Sequence, residues 1–451
     1  MTTTSAESTP RLPTAGPPLQ KETTAGNYFV SNYPPFAFWK PEQVGDFEAA
    51  IERPPTPGNP LGIYVHVPFC RKRCHFCYFK VYTDKDSAEI RGYLDAVLAE
   101  MALYAAKPFV GGRRPSFVYF GGGTPSYLSE AQLKHLFAGM RSLLPWDGVE
   151  EVAFECEPGT LTDHKLEVLR ELGVTRLSLG IEHFDDHILE INGRAHRSRE
   201  IARAYAFARQ VGFPQINVDL IAGMVEETEE KWSMAVAKTL ELEPDSVTIY
   251  QMEVPYNTGI YQQMKKEGKL VAPVADWDTK RRWVDQAFRE LERAGYTVGS
   301  AYTAVKDKAK TRFVYRDYLW AGADLLSTGV ASFGHVGGTH YQNHHEFATY
   351  VAAVNEGRFP VYRALTPTPD ERYIREFILQ LKLGSVRAEY FTRKFGSDPR
   401  QTFAQPLATL ASWGFLSESD GTLRINRAGL LQVDRLLHEF FKPEHRGSRY
   451  V

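Results

Sequence analysis

Short apolar runs alternate with helix-like patterns from Gly62 to about residue 300. The runs of strand length are bounded by turn residues and lie at 62–68, 117–120, 152–155, 176–181, 215–220 and 246–250. Helical periodicity fills the intervals, near 86–107, 130–143, 162–172, 198–211, 228–242 and 276–294. Strands alternating with helices predict a parallel sheet with crossover helices. Six units are too few for a closed eight-stranded barrel, so we predict an α/β fold with a partial (β/α)6 barrel over residues 61–300.

The pattern changes on both sides of this segment. Residues 301–365 carry further strand-like runs, at 325–334 and 339–341, and are interpreted as an extension of the barrel. Residues 366–451 are mostly helical, with helices expected at 369–383, 388–395, 401–412 and 427–441. A short strand pair near Phe415 and 423–425 favours a winged-helix-like appended domain. Residues 1–25 are rich in Thr, Ser and Pro, which is typical of disorder. Residues 26–60 are dense in aromatic rings, so we expect an arm that packs on the main domain or covers the active-site mouth.

Composition narrows the class of protein. The chain has 451 residues and a formal net charge of −2, with no basic run, so nothing favours a nucleic-acid partner. No apolar run approaches the ~20 residues of a membrane-spanning helix. The first residues lack the features of a signal peptide, and four cysteines do not make a disulfide framework. We therefore expect a cytoplasmic protein, in a reducing compartment.

Three of the four cysteines lie within eight residues, directly after the first predicted strand. Cys70, Cys74 and Cys77 have the spacing Cys-x3-Cys-x2-Cys. Cys156 stands apart, and we interpret it as a small buried residue on a strand rather than a redox group. Clustered Cys thiolates hold iron–sulfur clusters. The alternative is a zinc knuckle, but zinc usually needs a second Cys/His pair, and none follows at zinc-finger spacing. The spacing resembles that of the radical S-adenosylmethionine (SAM) enzymes, in which a 4Fe–4S cluster leaves one iron open for SAM.

Polar groups follow the other predicted strands where each strand ends. The segment Gly121–Ser126 opens with three glycines, which expose backbone groups and let a ligand approach closely. Glu155, Glu182 and Asp219 end the next three strands, and Arg194 follows the second of these. Because chemistry in such barrels sits at the carboxyl ends of the strands, we predict one shared site. Four nearby histidines receive no role, since a lone His is more often packed or solvated: His66, His75, His183 and His196.

These motifs occur in an order that resembles the oxygen-independent coproporphyrinogen III oxidase-like (HemN-like) branch of the radical SAM enzymes. The resemblance covers roughly residues 60–395 and includes the start of the appended domain. It implies a 4Fe–4S cluster on Cys70, Cys74 and Cys77 and two SAM molecules side by side. The cluster-bound SAM is implied to contact Tyr64, Gly122 and Glu155. The second is implied to contact Phe76, Gly123, Thr124, Glu182, Arg194 and Asp219, with Met252 and Phe333 as weaker matches.

Two residues depart from the oxidases of that family. Phe79 stands where those enzymes have a further Cys, and Glu182 stands where they have Gln. An aromatic residue at the first position is shared with haem chaperones, anaerobic haem-opening methyltransferases and class C radical SAM methyltransferases, and the chain looks most like class C. We therefore expect an enzyme that cleaves one SAM and uses the second as one-carbon donor, methylating or cyclopropanating an sp2 carbon of a small molecule.

The expected catalytic residues are Glu182 and Tyr64, although the base that removes a proton is not identified by the sequence. A carboxylate at Glu182 suits a sulfonium cation, because opposite charges attract. The expected partner is a one-electron donor such as flavodoxin or ferredoxin. The alternatives are a porphyrinogen oxidase or haem-opening enzyme, and a haem chaperone of the same family.

Overall fold

The computed structural model describes residues 28–269 and 272–448, so the expected disordered segment 1–25 lies outside the described residues. The strands are β1 (Leu61–Val67), β2 (Phe117–Gly122), β3 (Glu151–Cys156), β4 (Arg176–Glu182), β5 (Gln215–Ala222), β6 (Ser246–Gln251), β7 (Thr297–Val298), β8 (Thr303–Val305), β9 (Asp324–Thr328), β10 (Phe333–Val336), β11 (Thr339–Asn343), β12 (Val361–Leu365), β13 (Ser385–Arg387), β14 (Leu416–Ser419) and β15 (Thr422–Ile425). The α-helices are α1 (Val44–Ile51), α2 (Ser87–Ala105), α3 (Glu130–Leu143), α4 (Asp163–Glu171), α5 (Asp186–Ile191), α6 (Ser198–Val211), α7 (Glu229–Leu242), α8 (Gly259–Lys266), α9 (Trp277–Arg293), α10 (Val314–Trp320), α11 (Phe347–Asn355), α12 (Pro369–Leu381), α13 (Ala388–Phe395), α14 (Pro399–Thr402), α15 (Ala404–Ser412), α16 (Arg427–Leu430) and α17 (Val433–Leu436).

The first six strands form the predicted parallel sheet. Strands β1 to β6 are neighbours in chain order, and each pairs in parallel with the next. The partial barrel is thus confirmed, but the sheet is larger than six strands. Strand β8 pairs antiparallel to β6, while β9 pairs parallel to β1 and leads to β10, β11 and β12. The segment after residue 300 therefore lengthens the sheet at both edges.

Local sequence explains why the crossover helices begin where they do. Asp86 and Ser129 cap α2 and α3 with capping boxes, in which the cap side chain and the third helical residue satisfy each other's backbone N–H groups. Thr228 caps α7 by accepting from a backbone N–H in the first turn. Gly62 lets two strands pack closely, since a Cβ there would lie 2.0 Å from the Phe117 ring. Capping residues thus mark where α2, α3 and α7 begin in the segments that follow β1, β2 and β5.

The appended domain differs from its prediction in three places. The expected helix 401–412 is two helices, because Pro406 cannot donate to a carbonyl four residues earlier and its ring clashes there. The expected helix 427–441 is broken at Gln432, whose backbone (φ −130°, ψ 22°) leaves the helical region. Strand β13 was not expected, and it pairs with β15 to complete a three-stranded sheet, β13-β15-β14.

The aromatic arm is packed, and its start also reaches the site. Tyr33 is fully buried against Phe441, with ring centroids 4.8 Å apart, and Trp39 stacks on His340 at 5.1 Å. Tyr28 and Phe29 line a cavity of about 430 Å³. The arm is therefore packed along part of its length, and its first described residues line this cavity. Among the residues that the structure describes, no helix has the length and apolarity needed to cross a bilayer.

Candidate active site

A cavity of about 430 Å³ lies at the carboxyl ends of the parallel strands and is lined by all three clustered cysteines. Its volume falls in the range of small-molecule sites, roughly 300–1,000 Å³. Cys70 is buried, Cys74 and Cys77 are half-buried, and all three are free thiols. Backbone bonds close their loop, since Tyr82 N donates to Pro68 O at 2.8 Å and Cys70 N donates to Tyr82 O at 3.0 Å. The motif therefore opens into a pocket large enough for a cofactor.

His75, which sequence reasoning left without a role, fixes the cysteine loop to the turn after α5. Its backbone N donates to Asn192 O at 3.0 Å, and its ring Nδ1 lies 3.0 Å from Ile191 O. Its carbonyl accepts from Ile260 N at 3.0 Å. These contacts hold the loop beside the segment that ends in Arg194. No sequence signal could have found this, because the three contacts join segments more than 100 residues apart.

The thiols have surroundings that suit cluster ligands. Thr124 Oγ1 donates to Cys70 Sγ and Arg194 Nη1 donates to Cys74 Sγ, each at 3.3 Å. Hydrogen bonds to ligand sulfurs are a general feature that tunes iron–sulfur clusters. Burial raises the pKa of Cys70 to about 11 and that of Cys77 to about 12, so these thiols need a bound metal to ionise at neutral pH.

The backbone leaves room beside the cysteines. Among the described residues, no group of three His, Cys, Asp or Glu side chains is arranged to hold a single metal ion. A Cβ at Gly123 would lie 3.0 Å from Cys70 Sγ, so the glycine allows a close approach there. The three thiols and the hydrogen bonds to their sulfurs fit a 4Fe–4S cluster.

Three carboxylates face the cavity from neighbouring strand ends, where the strand-end rule predicted a shared site. Glu155 on β3 accepts from Tyr119 Oη at 2.6 Å and from Gly122 N at 3.1 Å. Asp219 on β5 accepts from Ser178 Oγ at 2.9 Å and from Asn217 Nδ2 at 2.7 Å. Burial raises the pKa of Glu155 to about 7 and also raises that of Asp219. Both carboxylates are therefore poised to gain stability from a bound cation.

Glu182 reaches the cavity through an irregular strand end. The pairing register of β4 with β5 shifts between Gly180 and Glu182, and Glu182 has φ 65°, in the left-handed region. Such backbone is uncommon for a residue with a side chain and clusters at functional sites. Glu182 Oε1 lies 3.6 Å from Arg194 Nη2. Burial raises the pKa of Glu182 to about 7, although Arg194 acts in the opposite direction.

The remaining predicted residues divide into two groups. Phe76 and Met252 line the cavity together with Gly122, Gly123 and Thr124. Tyr64 and Phe333 are not part of the described lining: Tyr64 Oη lies 3.1 Å from His66 Nδ1, and Phe333 packs on the Phe36 ring at 4.4 Å.

Several lining residues were missed from the sequence. Glu253 lies two residues beyond β6 and accepts from Tyr28 N at 3.0 Å, so the strand-end rule applied once more could have found it. The appended domain also lines the cavity, with Leu431, Gln432, Asp434 and Arg435. Asp434 accepts from Lys382 Nζ at 2.8 Å and from Val30 N at 2.9 Å, which ties the arm to this domain.

Comparisons with known proteins agree with this geometry. Residues 64–237 match the model of the Radical SAM superfamily, and residues 368–431 match the model of the HemN C-terminal domain. The chain is 30% identical to heme chaperone HemW of Bacillus subtilis strain 168 over 379 residues, covering 84% of this chain and 98% of that protein. It is 28% identical to the oxygen-independent coproporphyrinogen III oxidase of Escherichia coli strain K12 over 432 residues, covering 92% of each.

A solved structure shows the same fold. The crystal structure of coproporphyrinogen III oxidase (HemN) from Escherichia coli, described as a radical SAM enzyme, matches with a TM-score of 0.79 at 24% sequence identity. The match covers 91% of this chain and 96% of that one. It includes both the partial barrel and the appended domain. On these grounds the chain belongs to the HemN-like family of radical SAM proteins, which holds oxygen-independent coproporphyrinogen III oxidases and the heme chaperone HemW.

Proposed function

We propose that this protein is a radical SAM enzyme whose cysteine loop holds a 4Fe–4S cluster and whose cavity binds SAM next to a second ligand. When bound, the cluster supplies the electron that splits SAM into methionine and a 5′-deoxyadenosyl radical, which takes a hydrogen atom from the neighbouring ligand. The observation that carries the proposal is that three thiols and three strand-end carboxylates share one cavity. We propose an external one-electron donor, such as flavodoxin or ferredoxin, as the electron source.

The proposed roles of the protein side chains follow from charge. SAM carries an ammonium and a sulfonium, and buried carboxylates favour both cations. Glu155 and Gly122, with Tyr64 behind them, are proposed to hold the cluster-bound SAM. Glu182 and Asp219 are proposed to face the second ligand. The other proposed contacts of that ligand are Phe76, Gly123, Thr124, Arg194 and Met252.

The comparisons favour a tetrapyrrole ligand, because the matched relatives are named as coproporphyrinogen III oxidases and a heme chaperone. The lining of the cavity supports this candidate, because it includes several aromatic residues as well as Arg281 and Arg435. Guanidinium groups suit the carboxylate substituents of a porphyrinogen. Hydrogen abstraction from such a substrate, or delivery of haem without turnover, is therefore the first candidate.

The second candidate is alkylation with a second SAM as one-carbon donor, and Glu182 favours it. A carboxylate at this position faces the cavity from a left-handed backbone, 3.6 Å from Arg194. A sulfonium placed there gains an opposite charge that a neutral amide lacks. The radical then takes hydrogen from the methyl group of the second SAM, and the methylene carbon bonds to an sp2 carbon of the substrate. In methylation, the adduct loses the former sp2 C–H proton and S-adenosylhomocysteine, and the remaining radical takes one electron from the external donor and one proton. In ring closure, the adduct takes one electron from that donor, and the resulting carbanion displaces S-adenosylhomocysteine.

Product analysis of the reconstituted protein under anaerobic dithionite separates these candidates. 5′-Deoxyadenosine together with S-adenosylhomocysteine supports alkylation. 5′-Deoxyadenosine with loss of carboxyl carbon from added coproporphyrinogen III, and no S-adenosylhomocysteine, supports the oxidase. Stoichiometric haem binding with no 5′-deoxyadenosine supports the chaperone and contradicts the enzyme.

A pair of cysteine variants controls the experiment. Cys70→Ala is expected to lose the cluster and all 5′-deoxyadenosine, because the remaining two thiols cannot hold four irons. Cys156→Ala is the matched control, since this buried thiol also lines the cavity but lies outside the three-cysteine motif and donates to Phe154 O at 3.7 Å. If Cys70→Ala retains its iron and its SAM cleavage, the proposed site is wrong.

A further inference from the structure

One guanidinium spans the interval between the cysteine loop and the carboxylate of β4. Arg194 Nη1 donates to Cys74 Sγ at 3.3 Å, while Nη2 donates to Gly180 O at 2.5 Å and lies 3.6 Å from Glu182 Oε1. One end of the planar guanidinium thus contacts the cysteine loop, and the other end contacts β4. Because the guanidinium is rigid and delocalised, a change of charge at one end alters the hydrogen bond at the other.

The position of Arg194 is fixed by its surroundings. The side chains of Arg194 and Glu182 are each only 12% exposed, so their charges are poorly screened by solvent. The His75 contacts hold the cysteine loop against residues 191–192, directly before Arg194. The bulge near the end of β4 places Glu182 beside the guanidinium of Arg194, on the side away from Cys74. The positions of Cys74 and Glu182, the two partners of the guanidinium, are therefore set by the backbone of the cysteine loop and of β4.

The other nearby carboxylate is already paired. Glu157 accepts from Arg71 Nη2 at 2.7 Å and lies 3.3 Å from His196 Nδ1. Burial alone would lower the pKa of Arg194, but Cys74, Glu182 and Glu157 keep it above its usual value, so the guanidinium stays charged. Its positive charge is thus divided mainly between a proposed cluster ligand and Glu182.

We infer that Arg194 links the charge state at Glu182 to the proposed cluster ligand Cys74, so that neutralising Glu182 makes the cluster easier to reduce. A positive charge beside a thiolate ligand stabilises the reduced, more negative cluster. Glu182 opposes that charge while its carboxylate has no other partner. A cation bound at Glu182 pairs with its carboxylate, so that the positive charge of the Arg194 guanidinium interacts more strongly with Cys74. This inference rests on the proposed cluster and deepens it, because the second ligand then promotes the electron transfer that precedes chemistry.

The test is the midpoint potential of the reconstituted cluster, measured by dithionite titration with EPR detection and without SAM. Arg194→Gln is expected to lower the equilibrium constant for one-electron reduction by about tenfold, which corresponds to about 59 mV. Arg194→Lys, which keeps the charge, is expected to restore part of this shift. Glu182→Gln is expected to move the potential upward, since the opposing charge is gone. Arg199→Gln, an exposed arginine on the following helix, is the matched control and is expected to leave the potential unchanged.

A double-mutant cycle tests the link itself. If Arg194 carries the effect, Glu182→Gln shifts the potential less in the Arg194→Gln background than in the wild-type protein. Additive shifts, or an Arg194→Gln protein with full iron and an unchanged potential, would overturn the inference. If Arg194→Gln fails to load iron, the midpoint potentials of Arg194→Lys and Glu182→Gln still test the inference, because both variants keep a hydrogen-bonding side chain at the substituted position. A wild-type protein that takes up no iron contradicts the proposed function instead, so the two failures are distinct.

Discussion

Glu155 provides the sharpest test of how the cavity recognises a cation. Its carboxylate accepts from Tyr119 Oη at 2.6 Å and from Gly122 N at 3.1 Å, and burial raises its pKa to about 7. Only the ionised form attracts the ammonium of SAM. Between pH 6 and pH 8 the ionised fraction rises about tenfold around such a pKa, and each factor of ten is worth about 1.4 kcal/mol of binding. Affinity for SAM is therefore expected to increase with pH over this window.

Replacing Glu155 with Gln keeps the shape of the side chain and removes the charge. A hydrogen bond to a charged group contributes about 1.5–3 kcal/mol, so Glu155→Gln is expected to weaken SAM binding by about 10- to 150-fold at pH 8. At pH 6 the wild-type carboxyl is mostly protonated, and the loss shrinks by about tenfold. The sign follows from the raised pKa, because the attraction is present above about pH 7 and lost below it.

Anaerobic equilibrium dialysis with labelled SAM, on loaded protein without reductant, measures both affinities without turnover. The ratio of wild-type to Glu155→Gln affinity cancels any titration of SAM itself. Glu151→Gln is the matched control, because Glu151 is also buried on β3 but at the opposite end, where it accepts from Val314 N and Tyr315 N. An affinity ratio that is the same at pH 6 and pH 8 would refute this account of Glu155.

Two further changes test the scaffold of the site. Lys382→Ala removes a buried ammonium that donates to Val30 O at 2.7 Å and pairs with Asp434 at 2.8 Å. We expect urea denaturation to show a loss of about 3–5 kcal/mol in the free energy of unfolding, and we expect faster proteolysis of the arm. Lys310→Ala is the neutral control, because the Lys310 side chain is 85% exposed. Gly122→Ala places a Cβ 2.6 Å from His66 Cε1 at φ 115°, and it is expected to reduce SAM binding and to destabilise the protein by more than ~1 kcal/mol. Gly112→Ala, at φ 77° with no atom within 4 Å of the added carbon, isolates backbone strain; equal losses for both glycines in thermal unfolding would show that the contact with His66 does not matter.

The barrel could be predicted because its signals are local. The strands from β1 to β6 are short, mostly apolar runs and helices between them start at capping residues, so pattern and turn chemistry agree. The carboxylates of Glu155 and Asp219 could be found for the same reason, since a strand end is visible in one stretch of sequence. The appended domain was harder, because one proline and one non-helical residue divide expected helices that periodicity alone reads as continuous.

Contacts between distant segments carry no such local signal. The role of His75 depends on Asn192 and Ile260, and the lining by Asp434 depends on how the appended domain meets the arm. The ligand contact of Tyr64, which the family resemblance implies, stays a prediction; its hydroxyl lies 3.1 Å from His66 Nδ1 and Tyr64 is not part of the described lining. Motif spacing thus indicates which residues belong to a site, but tertiary packing decides which side chains reach it.

Glu182 is where these two kinds of information meet. Its identity is read from the sequence, and the family resemblance implies Gln at this position in the oxidases. Its effect depends on the bulge in β4, which turns the carboxylate toward Arg194 and hence toward Cys74. A neutral amide in the same place would leave the guanidinium charge with the cysteine. The substitution therefore bears on the reduction of the cluster as well as on ligand binding, and a chain with Glu at this position gains an electrostatic reason to reduce its cluster after a cation has bound.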